Sequence, residues 1–295
     1  MNISPVALSF SIESFKSQAL NSMLAGPASD FKNVYASLIS NPFLDAGSSA
    51  SDPLSLLTQS SSVLLQAGRN MSLPDPESAY KMMTLINNED VLYKAQFAEL
   101  SQVKSSVAGL QDAGQSLGSI TASAGNDSIK SVLQGFMDQY NRWVQRFNAD
   151  MQSGGLLAGT QAAQVSRYEL EQSVKNIFNG ASDGLHGLGD LGFSIDPDTK
   201  LISLDAARLD AVLAANRQGA VNTLQEFSAN FAKSASLLNA DNNFIPRQLD
   251  NLSRAIHYIA DNNVTLQEEF GTGDAAKPTG QVAQALAAYN QNYRI

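Results

Sequence analysis

The chain holds two imidazoles, His186 and His257, the first places to look for acid–base or metal chemistry. Neither sits in a His-x-x-Glu-His arrangement or beside a spaced carboxylate cluster, so neither has the partners a metal site needs. Each reads as a surface or hydrogen-bonded structural histidine. The serines are many, but no G-x-S-x-G elbow presents one as a nucleophile. Glu169 and Glu171 are two residues apart and point to different sides of a helix, so they do not form an acid–base pair; Glu268 and Glu269 read as a solvated face. The run Gly187-Leu-Gly-Asp-Leu-Gly192 spells the dinucleotide fingerprint. That mechanism requires a strand before the glycines and a helix after them, and here a β-like run follows, which makes the segment a turn. Asp196-x-Asp198-x-Lys200 opens like a calcium loop. It places Lys200 at the fifth position, Leu201 where the sixth wants Gly, and Ala207 where the twelfth wants Glu. A polar hairpin tip built on turn-forming Asp and Pro accounts for it better. Cysteine is absent, which removes thiolate ligands, disulfides and cysteine nucleophiles. The residues therefore predict no catalytic site, no cofactor and no metal: this is not an enzyme.

The elements around these residues are mainly helical. Apolar residues at Tyr93, Phe97, Leu100, Val103, Val107, Leu110 and Leu117 step mostly by three and four, the seam of a long coiled-coil-like helix over 79–122. Gly109, Gly114 and Gly118 weaken its far end, each by about 1 kcal/mol relative to Ala, so fraying or bending is expected there. A second helix, 128–152, capped by Asn126 or Asp127, carries Phe136, Tyr140 and the lone Trp143 on its inward stripe and ends at Gly154-Gly155. A third spans 160–179, with Val165, Leu170, Val174, Ile177 and Phe178 inward. After the glycine-rich turn, Phe193-Ser-Ile195 and Leu201-Ile-Ser-Leu204 read as a small hairpin, with Phe193 and Ile195 facing the helices together with Ile202 and Leu204. Asp205 caps a helix over 206–216, and helices follow at 217–239 and 245–262, the latter opened by Pro246. The predicted fold class is mainly α: a helical bundle with one long coiled-coil-like helix and one small β-hairpin. Four regions follow: a Ser- and Pro-rich, partly disordered stretch over 1–78, the coil helix over 79–122, a helical body over 123–262, and a flexible tail over 263–295 with a short terminal helix.

Composition narrows the partners. The 295 residues include 43% hydrophobic and only 16% charged ones, with a net charge of −9. An acidic chain without a basic patch lacks the footprint that nucleic acid requires, and no polybasic cluster points to anionic lipid. No run of 18 apolar residues exists, so membrane insertion is not expected. The N-terminus is a poor secretory signal, having no positive charge before Lys16. Export, if it occurs, uses a route without a cleaved leader.

The block from Leu188 to Asn216, LGDLGFSIDPDTKLISLDAARLDAVLAAN, resembles the C-terminal domain of the flagellar hook-associated protein 2 family, the flagellar filament caps. Ala220 to Phe227 (AVNTLQEF) is similar to the family segment that follows. Upstream, Phe136-Met-Asp-Gln-Tyr-Asn141 resembles its Tyr-Asn helix, Gly155 to Thr160 its next helix start, and residues 82–120 its long N-terminal coil. The matches run in family order over roughly 80–262. The family carries large β-rich domains between the coil and the Tyr-Asn helix. Here residues 121–127 alone separate them, a shortened form. The resemblance implies a structural assembly protein of the bacterial flagellum, a cap that promotes flagellin assembly at the filament tip after type III export. Its implied partners are further copies of itself, flagellin or other hook-associated proteins, and an export chaperone, and its implied location is extracellular. The alternative is a diverged paralogue, secreted or cytoplasmic, acting as an effector, adhesin, chaperone or regulator. The stripe Phe97, Leu100, Val103, Val107, Leu110 and Leu117 is the candidate protein interface unless it packs within the chain. Phe136, Tyr140, Trp143, Phe193, Ile195, Ile202 and Leu204 are the candidate core.

Overall fold

A computed structural model describes residues 68–175 and 184–293. The expectations for residues 1–67, and the inward placement of Ile177 and Phe178, lie outside the described residues. The first helix, α1, runs Pro76–Leu117 and is 42 residues long. Asp75 caps it by accepting from the Ser78 backbone N–H at 3.1 Å, and Pro76 occupies the first turn, where its missing N–H costs nothing.

The far end of α1 does not fray at its glycines. The helix continues through Gly109 and Gly114 and stops only at Gly118. Packing explains the difference. A Cβ on Gly114 would come within 2.6 Å of the Phe231 ring, and one on Gly109 within 2.9 Å of the Gln139 amide. The small residues admit close neighbours, and that contact outweighs the weak propensity.

The next helix, α2, spans Asn126–Met151. Neither Asn126 nor Asp127 caps it as expected. Gly125 is the capping residue and makes no side-chain bond. Asn126 is engaged elsewhere, its Oδ1 accepting from Arg217 at 2.8 Å. Helix α3 covers Gln161–Lys175. A 3-10 turn over Leu188–Leu191 then leads into strands β1, Phe193–Ile195, and β2, Ile202–Leu204. The strands pair antiparallel with Phe193 opposite Leu204 and Ile195 opposite Ile202. Asp205 caps α4, Ala206–Ala215, through the Arg208 N–H at 3.0 Å. Asn216 ends α4 and caps α5, Arg217–Asn239, accepting from Gly219 N–H at 3.0 Å. Helix α6 is Phe244–Asp261.

Helix α1 is the axis of the bundle. Helices α2, α5 and α6 pack along it, and one apolar core joins Leu100, Val103, Val107, Leu110 and Leu117 to Phe136, Phe227, Phe231 and Leu249. Helix α5 lies antiparallel to α1, with Phe231 at Gly114 and the Asn239 amide bonded to the Lys104 carbonyl at 2.9 Å. Helix α6 also runs against it. Ile256 clusters with Ala98, and Ile259 with Met83 and Ile86.

The segment after α6 carries more structure than a flexible tail with one short helix. It forms α7, Asn263–Phe270, and α8, Gly280–Asn292. Between them residues 271–279 lie as a strap over the start of α1. Tyr80 donates to the Asp274 carboxylate at 2.6 Å, and the Asn87 amide donates to the carbonyls of Thr272 and Asp274 at 3.0 and 2.8 Å. Gly273, at φ 61°, sits so close to the Thr84 backbone that a Cβ would come within 2.6 Å of its nitrogen. Helix α8 then returns along α1, burying Ala285 beside Ala95 and Tyr289 beside Ala98. Reading this segment from propensity alone missed the contribution of α1, which buries the apolar faces of two short helices that would be marginal by themselves.

Candidate functional site

The coil stripe faces the chain itself. Leu100, Val103, Val107, Leu110 and Leu117 each expose 0% of their surface. Phe97 is half-buried and meets Tyr289 and Tyr293 edge-on, with centroids 5.9 and 5.1 Å apart. These six side chains therefore build the bundle, and a partner would meet other surfaces. Large apolar side chains that are exposed include Met71, Leu85, Tyr168, Leu237, Tyr258 and Val264, spread over several elements.

The candidate core residues lie together around α2 and the hairpin. Phe136 and Tyr140 expose 1% each and Trp143 4%. Phe136 packs edge-on against Phe227 and Phe231 at 5.4 and 5.0 Å, the offset geometry that aromatic quadrupoles favour. Phe193 and Ile202 are buried, whereas Ile195 and Leu204 are partly buried against the same core. Alternation along each three-residue strand puts Ser194 and Ser203 outside, where their hydroxyls pair at 2.9 Å.

Asn141 locks the hairpin to α2. Its amide nitrogen donates to the Ile202 carbonyl at 2.9 Å, and its oxygen accepts from the Ile202 N–H at 2.8 Å. An amide side chain thus presents the donor–acceptor pair that a neighbouring strand would present, and satisfies both backbone groups of the edge residue. At the hairpin tip, Asp196 Oδ1 accepts from the N–H groups of Asp198 and Thr199 at 3.0 and 2.7 Å and from the Thr199 hydroxyl at 2.8 Å. Those bonds, the Thr199 ones foremost, hold the Asp196 carboxyl below its usual range. They make an Asx turn, with Lys200 in the left-handed region at φ 62°. The aspartate that began the calcium-like pattern is therefore engaged with its own turn.

Two polar constellations tie the long helices. Arg146 of α2 reaches Glu99 of α1 and Asp150 of its own helix, at 2.9 Å to Glu99 Oε2 and 2.9 Å to Asp150 Oδ2. Both carboxylates are buried. Burial pushes the Glu99 carboxyl up, Arg146 pulls it down, and Asp150 adds to the rise. Beside them Gln102, Gln281 and Gln284 line a groove between α1, α2 and α8. The second constellation holds the connector between α1 and α2. Arg217 donates to the Ala122 carbonyl at 2.7 Å, to Asn126 Oδ1 at 2.8 Å and to the Ala124 carbonyl. Gln225 adds a bond to the Ile120 carbonyl at 2.9 Å. Sequence reading did not single out Asn141, Arg146 or Arg217 individually. The signal that could have found them is a polar residue one step from an apolar helical stripe.

His186 and His257 lie far apart in the chain and in different settings. His186 stands beside Asp190 at 3.4 Å, and His257, exposed on α6, bonds the Ser253 carbonyl at 2.7 Å. The glycine-rich run forms the 3-10 turn before β1, with Gly192 in the left-handed region at φ 96°. No helix N-terminus follows those glycines to receive a phosphate. Among the described residues no group of three or more His, Asp or Glu side chains is placed to hold a metal ion, and no helix is long and apolar enough to cross a membrane.

The molecule is a helical bundle that holds a two-stranded hairpin, with Asn141 bonding the edge of β2 and the long coil folded into the bundle's own core. A family model described as the flagellar hook-associated protein 2 C-terminus matches residues 109–292, and the chain belongs to that family. No curated protein sequence matches it. Among solved structures, the D1-D2-D3 domains of the flagellar cap protein FliD from Escherichia coli resemble it at 16% identity and a TM-score of 0.40, a likeness too slight to build on. The match covers 44% of this chain and 37% of that one, so the chain spans well under half the length of that relative.

Proposed function

We propose that the protein is a structural component of the bacterial flagellum, a compact relative of the filament cap that assists flagellin assembly at the filament tip. Membership of the hook-associated protein 2 family over residues 109–292 carries this reading. The hairpin, Asn141 that grips it, and Asp205 at the start of α4 all lie within that span. In this reading the chain leaves the cell through type III export and contacts flagellin or other hook-associated proteins, with an export chaperone as a further partner. It assembles with further copies of itself through surfaces other than the buried stripe, with an apolar centre and polar rim. The role is one of binding and placement, not of catalysis.

One observation favours a second reading, a diverged paralogue with another secreted or export-associated task. Helix α1 ends at Leu117 and α2 begins at Asn126, so the connector has no room for the outer domains of the usual cap. Deleting the gene separates the readings. A cap-like role predicts lost swimming, with unpolymerised flagellin in the culture supernatant. Normal motility with an intact filament would overturn it. Immunoblots of supernatants from wild-type and export-deficient cells test the secretion component independently.

A further inference from the structure

We propose that one water molecule is bound where α2, α3 and the hairpin tip meet, accepting a hydrogen bond from the indole N–H of Trp143. Trp143 is 4% exposed, and its Nε1 finds no hydrogen-bond partner among the described residues. A buried donor left without an acceptor is uncommon, because it forfeits its bond to solvent. The residue lines a small cavity together with Tyr140, Asn148, Arg167, Glu171 and Lys200. About 10 Å³ of that space is open to the centre of a water molecule, close to the roughly 10–15 Å³ that one water requires. No organic ligand of ordinary size enters such a volume.

The lining has the chemistry that a bound water needs, two to four polar partners arranged around it. The indole offers a donor. The Glu171 carboxylate offers an acceptor and is held in its charged form by Lys175 and by Lys200, whose nitrogen stands 3.7 Å away. Burial keeps the Tyr140 phenol protonated, so its hydroxyl can either donate or accept. The Asn148 amide supplies both a donor and an acceptor. A water here adds a shared bond to elements already joined in pairs, the hairpin tip and α3 by the Lys200–Glu171 ion pair and α2 and β2 by Asn141. It makes the hairpin tip part of one hydrogen-bonded junction with α2 and α3.

The chain has one tryptophan, so its indole signal needs no assignment among rivals. In a high-resolution crystal structure of the full chain, an isolated solvent peak should lie within hydrogen-bond distance of Trp143 Nε1. In solution, the nitrogen-15-labelled indole proton should show a cross-relaxation peak to a long-lived water. Density with Nε1 facing an empty space, or bonded to a protein acceptor, overturns the proposal. Loss of the cross-relaxation peak in a folded sample does the same. A Trp143→Phe variant gives the second arm. The solvent peak should vanish while the fold remains, and a peak that persists on unchanged partners would show that the indole is not what holds it.

Discussion

At the scale of single residues, the determinants are polar groups that finish someone else's backbone. Asn141→Ala removes both bonds to Ile202 and leaves the Ile202 N–H and carbonyl without their partner. The expected cost is about 2–4 kcal/mol, from two lost bonds and part-buried backbone groups left without a partner, read as a lower urea midpoint at unchanged slope. Gly114→Ala reverses the usual helix rule. Ala gains roughly 1 kcal/mol of propensity, but its methyl meets the buried Phe231 ring at 2.6 Å, and overpacking of that kind costs about 1–3 kcal/mol. Net destabilisation is expected, and a raised melting temperature would contradict it. Glu99 makes a prediction about pH. Burial raises its carboxyl above the ordinary 4.5, so the folded state holds this proton more tightly than the unfolded chain does. Stability from this group is therefore greatest below that value and declines as pH climbs through the folded-state titration. Denaturant titrations of Glu99→Gln and the parent across that window should show the variant's relative stability increasing with pH. A flat difference would remove Glu99 from the account.

At the scale of elements, α1 decides most of the architecture, and its stripe has a definite thermodynamic role. Leu100→Ala empties a fully buried site and should cost about 2–5 kcal/mol, visible by denaturation of the isolated chain. A variant that kept full stability yet lost self-association would return the stripe to the role of an interface. Helical periodicity made α1, α2, α5 and α6 legible within a few residues, and the β-branched and aromatic runs on either side of Asp196–Lys200 revealed the hairpin, its second strand one residue shorter than read. The Asn216 cap, the regular helix of α1 at Gly109 and Gly114 where fraying or bending was expected, and α7 were not legible, because each depends on what lies next to it in space. Val264 of α7 is 70% exposed while Leu266 is buried on α1, a one-sided pattern too short to register without its neighbour. Of the residues that apolar spacing offered for the core, Phe136, Tyr140, Trp143, Phe193 and Ile202 are buried and Ile195 and Leu204 partly so. The roles of Asn141 and Arg217 were not legible, since a place beside an apolar stripe marks a polar side chain as a candidate but does not say which backbone groups on another element it meets.

At the scale of the whole molecule, the described helices pack around α1, and the last of them returns along it. The strap over residues 271–279 and α8 fasten the end of the described chain to the beginning of α1. Tyr289→Ala should loosen that closure, and proteolysis in α8 should then precede cutting in α5. Equal susceptibility in variant and parent would count against it. The connector between α1 and α2 has a consequence of its own. Two long helices enter and leave it side by side, and Arg217 grips its carbonyls at Ala122 and Ala124 from a third. Gly125 meets nothing within 4 Å on the side a Cβ would occupy. Such a spot is a natural splice point. A guest module inserted between Ala124 and Gly125 would have Arg217 holding the chain at both its ends, through the Ala122 and Ala124 carbonyls on one side and Asn126 on the other, and would ride on the bundle like a head on a fixed neck. The host would thus become a carrier whose payload can be exchanged without rebuilding its frame.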